Sequence, residues 1–266
     1  MVERDTPVER RREGGGAAVS YSLPTTNAKV LALLRPRLAA AAMVLDIGAG
    51  EGYLARRVHA AIVEGGHPAR LEACDLFPEN FRVSEVPCRG IDLDGGLPLP
   101  DGSVDLAYSV EVIEHLEDQF RFLREVHRVL RPAGRFIVTT PNVLNLTSRL
   151  RTLLTGFPEL FGPLPLRFEE PQLLGGHIHP VSLYFLSYMA EKAGFRVEGL
   201  HIDRVKSGST AALLLWPLVA LVSWLATARA RRKEPAVYAE NRGHVARLNS
   251  LSVLVGRTII LELVRA

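Results

Sequence analysis

Two stretches of this chain carry residue types that chemistry needs. The first is Asp46-Ile47-Gly48-Ala49-Gly50-Glu51-Gly52, an acid at the end of an apolar run followed by glycines at alternate positions. Gly48 and Gly50 permit backbone torsions and a close approach that a side chain would block, and Gly52 lets a following helix pack near the strand. Asp75 closes the next apolar run and can accept hydrogen bonds from two ribose hydroxyls. Nicotinamide-binding turns favour Gly-x-Gly-x-x-Gly, with a pyrophosphate on the helix N-terminus. The spacing here is Gly-x-Gly-x-Gly, and Asp46 would repel a phosphate but suit an ammonium. The pattern points to a ligand without phosphates.

The second stretch is Glu111-Val112-Ile113-Glu114-His115. On a helix, Glu111, Glu114 and His115 share one face at i, i+3 and i+4. Three readings stay open. His115 is a general base for an oxygen acceptor. Alternatively Glu111, Glu114 and His115 hold a divalent cation, completed by His179 or His177. In the third, Glu114 is a helix-start carboxylate and His115 a packed ring. The expected site has no metal. The loop histidines His177 and His179, between glycines and Pro180, could equally be solvated.

The elements that must position these groups follow from hydrophobic periodicity. Helical spacing runs over 27–42, with Pro36 bending it. A buried parallel strand is predicted over 43–47, a helix over 52–63, a strand over 71–75 and a short strand over 86–91 ending at Asp92. Turn chemistry at 97–103 leads to a strand over 104–109 and an amphipathic helix over 117–130. Arg131-Pro132-Ala133-Gly134 stops that helix, and a strand over 135–140 follows. This alternation predicts an α/β domain, a doubly wound sheet with helices on both faces. The rhythm then breaks. Residues 142–180 are too long for an ordinary connection and read as a lid or substrate insertion. A helix over 181–193, a strand over 195–202 and a last strand over 251–264 close the pattern.

Taken together, these motifs resemble the class I S-adenosylmethionine-dependent methyltransferases. Asp46 to Gly52, Asp75, Asp92-Leu93, Pro100 to Leu106, Glu111 to Asp118 and Leu130 to Gly134 carry the resemblance. It covers 28–206 and returns at the final strand. Within the family it is most similar to the branch of quinone-precursor and bacterial small-molecule methyltransferases. The resemblance implies a Rossmann-like seven-stranded sheet with an antiparallel last strand, 195–206 and 251–264 forming the terminal hairpin. It implies S-adenosyl-L-methionine as cofactor. Asp46, Gly48, Gly50, Gly52 and Tyr53 would hold its amino-acid part, Asp75 and Leu76 the ribose, and Asp92 and Leu93 the adenine, while Ser109 and its neighbours would face the sulfur. Methyl transfer from a sulfonium needs mainly alignment, so Glu111, Glu114 and His115 are the candidate catalytic residues. The acceptor is expected to be a small or lipid-linked molecule methylated at oxygen. A non-catalytic cofactor-binding or scaffold protein is the alternative.

Composition sets the remaining bounds. The 266 residues are 47% hydrophobic and 23% charged with a net charge of +3, which disfavours a nucleic-acid partner. Two cysteines, Cys74 and Cys88, show neither zinc spacing nor a disulfide framework and fit a reducing cytoplasm. Residues 1–24 read as a charged, Gly-rich tail without the apolar core of a signal peptide. The segment 209–228 has no charged residue, and Arg229-Ala230-Arg231-Arg232-Lys233 follows at once. It is long enough to span a bilayer, but it lies between two strands of one sheet, and Pro217 is expected to interrupt its helix. The expectation is an insertion, 207–250, that lies on the inner face of the cell membrane or packs on protein, with Trp216 and Trp224 at the interface.

Overall fold

The computed structural model describes residues 18, 20–91, 96–164, 176–206, 208 and 213–266. Its strands are β1 Met43–Ile47, β2 Arg70–Asp75, β3 Cys88–Gly90, β4 Val104–Val110, β5 Leu130–Pro141, β6 Phe195–Ile202 and β7 Thr258–Arg265. They form one seven-stranded sheet in the order β3-β2-β1-β4-β5-β7-β6. β1 to β5 pair in parallel, and β7 runs antiparallel to both β5 and β6. The order reverses between β1 and β4, so a crevice opens at the carboxyl ends of those strands, where open α/β sheets bind ligands.

Strand alternation sends side chains to opposite faces of the sheet. Leu45, Ile47, Phe136, Val138, Leu261 and Leu263 pack on one face. There they meet Leu123 and Val126 of α3 (Gln119–Val129) and Leu186 and Ala190 of α5 (Leu183–Lys192). Val44, Leu71, Leu106, Tyr108, Ile137 and Ile260 pack on the other. Their partners are Leu34 and Leu38 of α1 (Pro24–Leu38) and Val58 and Ile62 of α2 (Tyr53–Glu64). Both faces are covered, which is why the central strands are apolar nearly throughout.

Local chemistry sets the ends. α1 starts with Pro24 in its first turn, where a missing N–H costs nothing. The Asp118 side chain caps α3 by accepting from the Arg121 N–H at 2.8 Å. β5 begins at Leu130, earlier than the predicted 135, with 131–134 looped out of register around Ala133 at φ +61°. β3 is shorter than predicted, and Asp92 and Leu93 lie outside the described residues.

Four expectations are corrected. Residues 251–264 are not one strand: Leu251–Val255 is a short helix, α9, and β7 starts at Thr258. Gly256 separates them, because a Cβ there would sit 2.4 Å from the Ile202 side chain. The tail does not reach residue 24, since the Asn27 side chain bonds Ser20 and Ser22 and α1 opens at Pro24; residues 1–17 and 19 lie outside the described residues. The stretch 111–115 is not an α-helix, only a single 3₁₀ turn over Ile113–His115. Pro217 does not interrupt a helix but sits in the first turn of α6 (Trp216–Lys233). Within 142–180 a helix, α4 (Leu146–Thr155), follows β5. In the second insertion α6, α7 (Pro235–Glu240) and α8 (Arg242–Arg247) bury no residue; residues 209–212 lie outside the described residues.

Candidate active site

The glycine turn sits on β1 at the switch point. Gly48 and Gly52 adopt φ of +78° and +88°, and Gly50 +54°, a region that side chains rarely enter. Space forbids side chains as well. A Cβ on Gly48 would lie 2.4 Å from Val112, one on Gly52 2.6 Å from Val83, and one on Gly50 3.2 Å from the Tyr21 ring. The turn is tied to the end of β2: the Gly50 N–H donates to Asp75 Oδ2 at 2.8 Å, and the Phe77 N–H to Oδ1 at 2.9 Å. Each oxygen keeps a further lone pair for a ligand hydroxyl.

A cleft of about 380 Å³ opens over this turn, lined by Asp46, Gly48, Gly50, Tyr53, Val110 and the 20–22 segment among others. Burial pushes the Asp46 carboxyl up to about 7. The buried Tyr108 hydroxyl, which makes no hydrogen bond of ordinary geometry, favours its ionised form. A ligand ammonium would favour that form further. Leu76 is exposed beyond Asp75. Ser109 does not face the cleft as expected. It is fully buried, and alternation along β4 gives its neighbour Val110 that place.

The N-terminal wall was missed by sequence reasoning. Ser20, Tyr21, Ser22 and Asn27 line the cleft, and the Tyr21 hydroxyl donates to Glu51 Oε1 at 3.2 Å. The signal available was Pro24, which marks a helix start and so places 20–23 directly beside the domain.

The other half of the site lies past β4. Glu111 takes φ +53°, an uncommon and strained value for this residue type. Its N–H donates to Thr139 Oγ1 at 3.0 Å, and its carboxylate accepts from Thr258 Oγ1 at 3.3 Å with Arg257 at 3.6 Å. Glu111 is thereby turned toward β7, away from the set the helical spacing would have given.

Glu114, His115 and His177 do converge, one ligand-type atom from each lying within 4.8 Å of the others. Glu114 is fully buried, and among the described residues neither carboxylate oxygen makes a hydrogen bond of ordinary geometry, although the neighbouring Thr140 hydroxyl favours its ionised form. Burial pushes its carboxyl up to about 8. Its backbone carbonyl accepts from the N–H groups of Ile178 and His179 at 3.1 and 3.0 Å, which pins the histidine loop to this turn. His115 Nδ1 is 3.0 Å from the Gly176 carbonyl, and His177 Nδ1 is 2.9 Å from that of Leu160. A carbonyl only accepts, so both Nδ1 atoms carry protons, and both Nε2 lone pairs are free of hydrogen bonds among the described residues. Burial lowers the pKa of both rings and keeps them neutral. The two rings meet edge to face at 4.9 Å. His179 bonds the Leu116 carbonyl at 2.7 Å instead and stands outside the cluster. Among the described residues Glu114 and His115 are therefore joined by His177, one of the two loop histidines the sequence offered, while Glu111 and His179 stand apart.

Comparison with known proteins decides what this crevice belongs to. Residues 45–138 match the model of a methyltransferase domain family. The stretch from β1 into β5 is thus similar to a methyltransferase domain. A probable S-adenosylmethionine-dependent methyltransferase of Mycolicibacterium smegmatis is 35% identical over 162 residues, 58% of this chain and 52% of that protein. One of the same description from Mycobacterium tuberculosis is 38% identical over 121 residues, 43% of this chain and 41% of that protein. The chain spans about half the length of these curated relatives, or less. A crystal structure of a SAM-dependent methyltransferase from Archaeoglobus fulgidus shares the fold at a TM-score of 0.53 and 18% identity, over 90% of this chain and 94% of that one. The methyltransferase domain's expected cofactor is S-adenosylmethionine, and the residues present fit it. The cleft is closed to side chains at Gly48, Gly50 and Gly52, free of a cationic phosphate site, and supplied with acids at Asp46 and Asp75.

Proposed function

We propose that this chain transfers a methyl group from S-adenosylmethionine to oxygen on a small-molecule or lipid-linked acceptor. When bound, the cofactor supplies an activated methyl on a sulfonium. Asp75 and Leu76 would hold its ribose, Asp46 its ammonium, and the backbone from Gly48 to Tyr53 its amino-acid part. The observation that carries the oxygen reading is the tautomer of His115. Its Nδ1 proton is committed to the Gly176 carbonyl at 3.0 Å, so Nε2 is an unprotonated base at neutral pH. It would take the proton of an acceptor hydroxyl whose oxygen bonds the methyl carbon as the carbon–sulfur bond of the sulfonium breaks. Glu114 and His177 hold that ring in a dry setting where a positive charge on it is felt by the neighbouring carboxyl.

A second reading rests on Glu114. A fully buried carboxyl whose oxygens make no hydrogen bond of ordinary geometry among the described residues, beside the Nε2 atoms of His115 and His177, is also a ligand set for a divalent cation. In that case the cation orients the acceptor oxygen and lowers its pKa. The lipid-linked class and a peripheral position on the cytoplasmic membrane face are supported by α6, whose Leu218, Leu221, Val222, Trp224 and Leu225 are all exposed.

Calorimetric titration with S-adenosylmethionine tests the core of this proposal. Wild type should bind, and Asp75→Ala should bind about tenfold to a hundredfold more weakly, since it loses charged acceptors. Equal affinity of the two proteins would remove Asp75 from the site. No binding by folded wild type would leave the scaffold alternative.

A further inference from the structure

A second, small cleft lies apart from the glycine turn. Asn142, Asn145, Glu159, Leu160, Lys206 and Arg257 line it at the carboxyl end of β5. It is polar and well anchored: Asn142 donates to the carbonyls of Val253 and Gly256 at 2.6 and 2.8 Å, and Lys206 donates to Thr147 Oγ1 at 2.8 Å and pairs with Glu159. The helix that Asn145 caps is apolar on its outer side. On α4, Leu150, Leu153 and Leu154 fall on one helical face and are 52%, 81% and 74% exposed, with Phe157 exposed just beyond.

This exposure does not come from a loosely held helix. Asn145 caps α4 by accepting the Ser148 N–H at 2.8 Å. Arg149 reaches inward to the carbonyls of Leu144 and Leu248 and the Asn249 side chain, at 2.6 to 2.8 Å. The helix is fixed with its leucines outward, an orientation that costs free energy in water unless something covers them. The chain leaves the domain for α6 at the same place: a Cβ on Gly208 would touch the Thr147 methyl at 3.9 Å, in the first turn of α4. α6 in turn buries no residue.

Charge names the occupant. Neither α4 nor 213–233 contains an acidic residue, whereas Arg151, Arg229, Arg231, Arg232 and Lys233 are basic. The Arg231 guanidinium lies 5.4 Å over the Trp224 ring, an amphipathic pairing suited to a head-group boundary. α6 is the one helix among the described residues long and apolar enough to cross a bilayer. The strands before and after it pair with each other, so the chain returns to the side it left. Lying in the interface meets both conditions.

We infer that α4 and α6 together form a docking surface for an anionic lipid bilayer, which seats the polar cleft beside Thr147 against the head groups and so admits an amphiphilic acceptor head first. This deepens the lipid-linked reading above and rests on it for the acceptor, but the docking itself is tested without turnover.

The test is co-sedimentation of the full chain with vesicles of phosphatidylcholine plus phosphatidylglycerol, and with phosphatidylcholine alone. Wild type should partition to the anionic vesicles, less so at high salt. Leu153→Asp/Leu154→Asp in α4 and Leu221→Asp/Leu225→Asp in α6 should each weaken partitioning about tenfold or more. Because these side chains are exposed, circular dichroism and cofactor titration should match wild type. The inference is overturned if wild type ignores the vesicles, or if the α4 variant sediments like wild type. It is also overturned if the α4 leucines instead hold a dimer that the variant splits in sedimentation velocity. Cofactor binding without vesicle binding would sink the docking surface and keep the methyltransferase; vesicle binding without cofactor binding would do the reverse.

Discussion

The two ends of the crevice are built in opposite ways. At β1 and β2 the site is backbone: three glycines at positive φ, a turn tied to Asp75 twenty-five residues from Gly50, and a wall that tolerates no side chain. At β4, β5 and β7 the site is side chains drawn from far apart. His115 meets a carbonyl 61 residues away, and Glu111 meets Thr258 across 147 residues. The first end is rigid because its parts are local and its contacts steric. The second stores unbalanced groups, a strained Glu111 and a buried Glu114 with no hydrogen bond of ordinary geometry among the described residues, which stable folds retain mainly where chemistry is done. One end is suited to a constant ligand and the other to a reaction.

That contrast can be broken. The largest expected effect is His115→Ala, which should lower kcat by about 10² to 10⁴-fold while cofactor titration stays at wild-type affinity. Comparable loss of both would mean that the two ends are one structural unit. Near-normal turnover would remove the base.

Glu114 gives the next effect, on stability against pH. Its carboxyl rises from 4.5 to about 8 in the folded protein. The folded state therefore binds more protons than the unfolded state between those values. Its contribution is fully present below pH 4.5 and is lost as pH rises through about 8, with a slope of about 1.4 kcal/mol for each pH unit in between. Asp46 adds a parallel loss between 3.8 and about 7. Thermal melts should show stability falling across this window, and Glu114→Gln should flatten the slope above about pH 5. The same melts sharpen the choice between base and cation. A Tm raised by added Mn²⁺ at pH 8 in wild type, but not in Glu114→Gln, would move the cation reading to first place. No response to Mn²⁺ leaves His115 as the base.

The smallest effect belongs to the cofactor end. Tyr21→Phe removes one exposed hydrogen bond, to Glu51 at 3.2 Å, worth on the order of 1 kcal/mol. Affinity for S-adenosylmethionine should fall only a few-fold. A loss as large as that of Asp75→Ala would mean that the N-terminal segment, not the glycine turn, closes the cleft.

The cofactor end was legible in the sequence because its determinants are contiguous. Asp46 to Gly52 reads as one turn, and strand periodicity places Asp75 beside it. The alternation of strands and helices likewise gave the sheet. Reading failed where register or distant chain intervened. Ser109 and Val110 exchange faces with a one-residue shift, and 251–255 is apolar enough for strand or helix until Gly256 and the Ile202 side chain decide. Glu111 shows the same limit: an i, i+3, i+4 spacing has meaning only on a helix, and this stretch has one 3₁₀ turn.

By itself, then, the sequence determined the sheet, the glycine turn and the acids that flank it, since hydrophobic period and backbone torsion are properties of short segments. The tertiary structure alone decided that His177 joins Glu114 and His115, that Glu111 turns to Arg257, and that α4 holds its leucines outward. Those outcomes depend on which distant carbonyl or cation reaches each group first in space, and no local pattern encodes that.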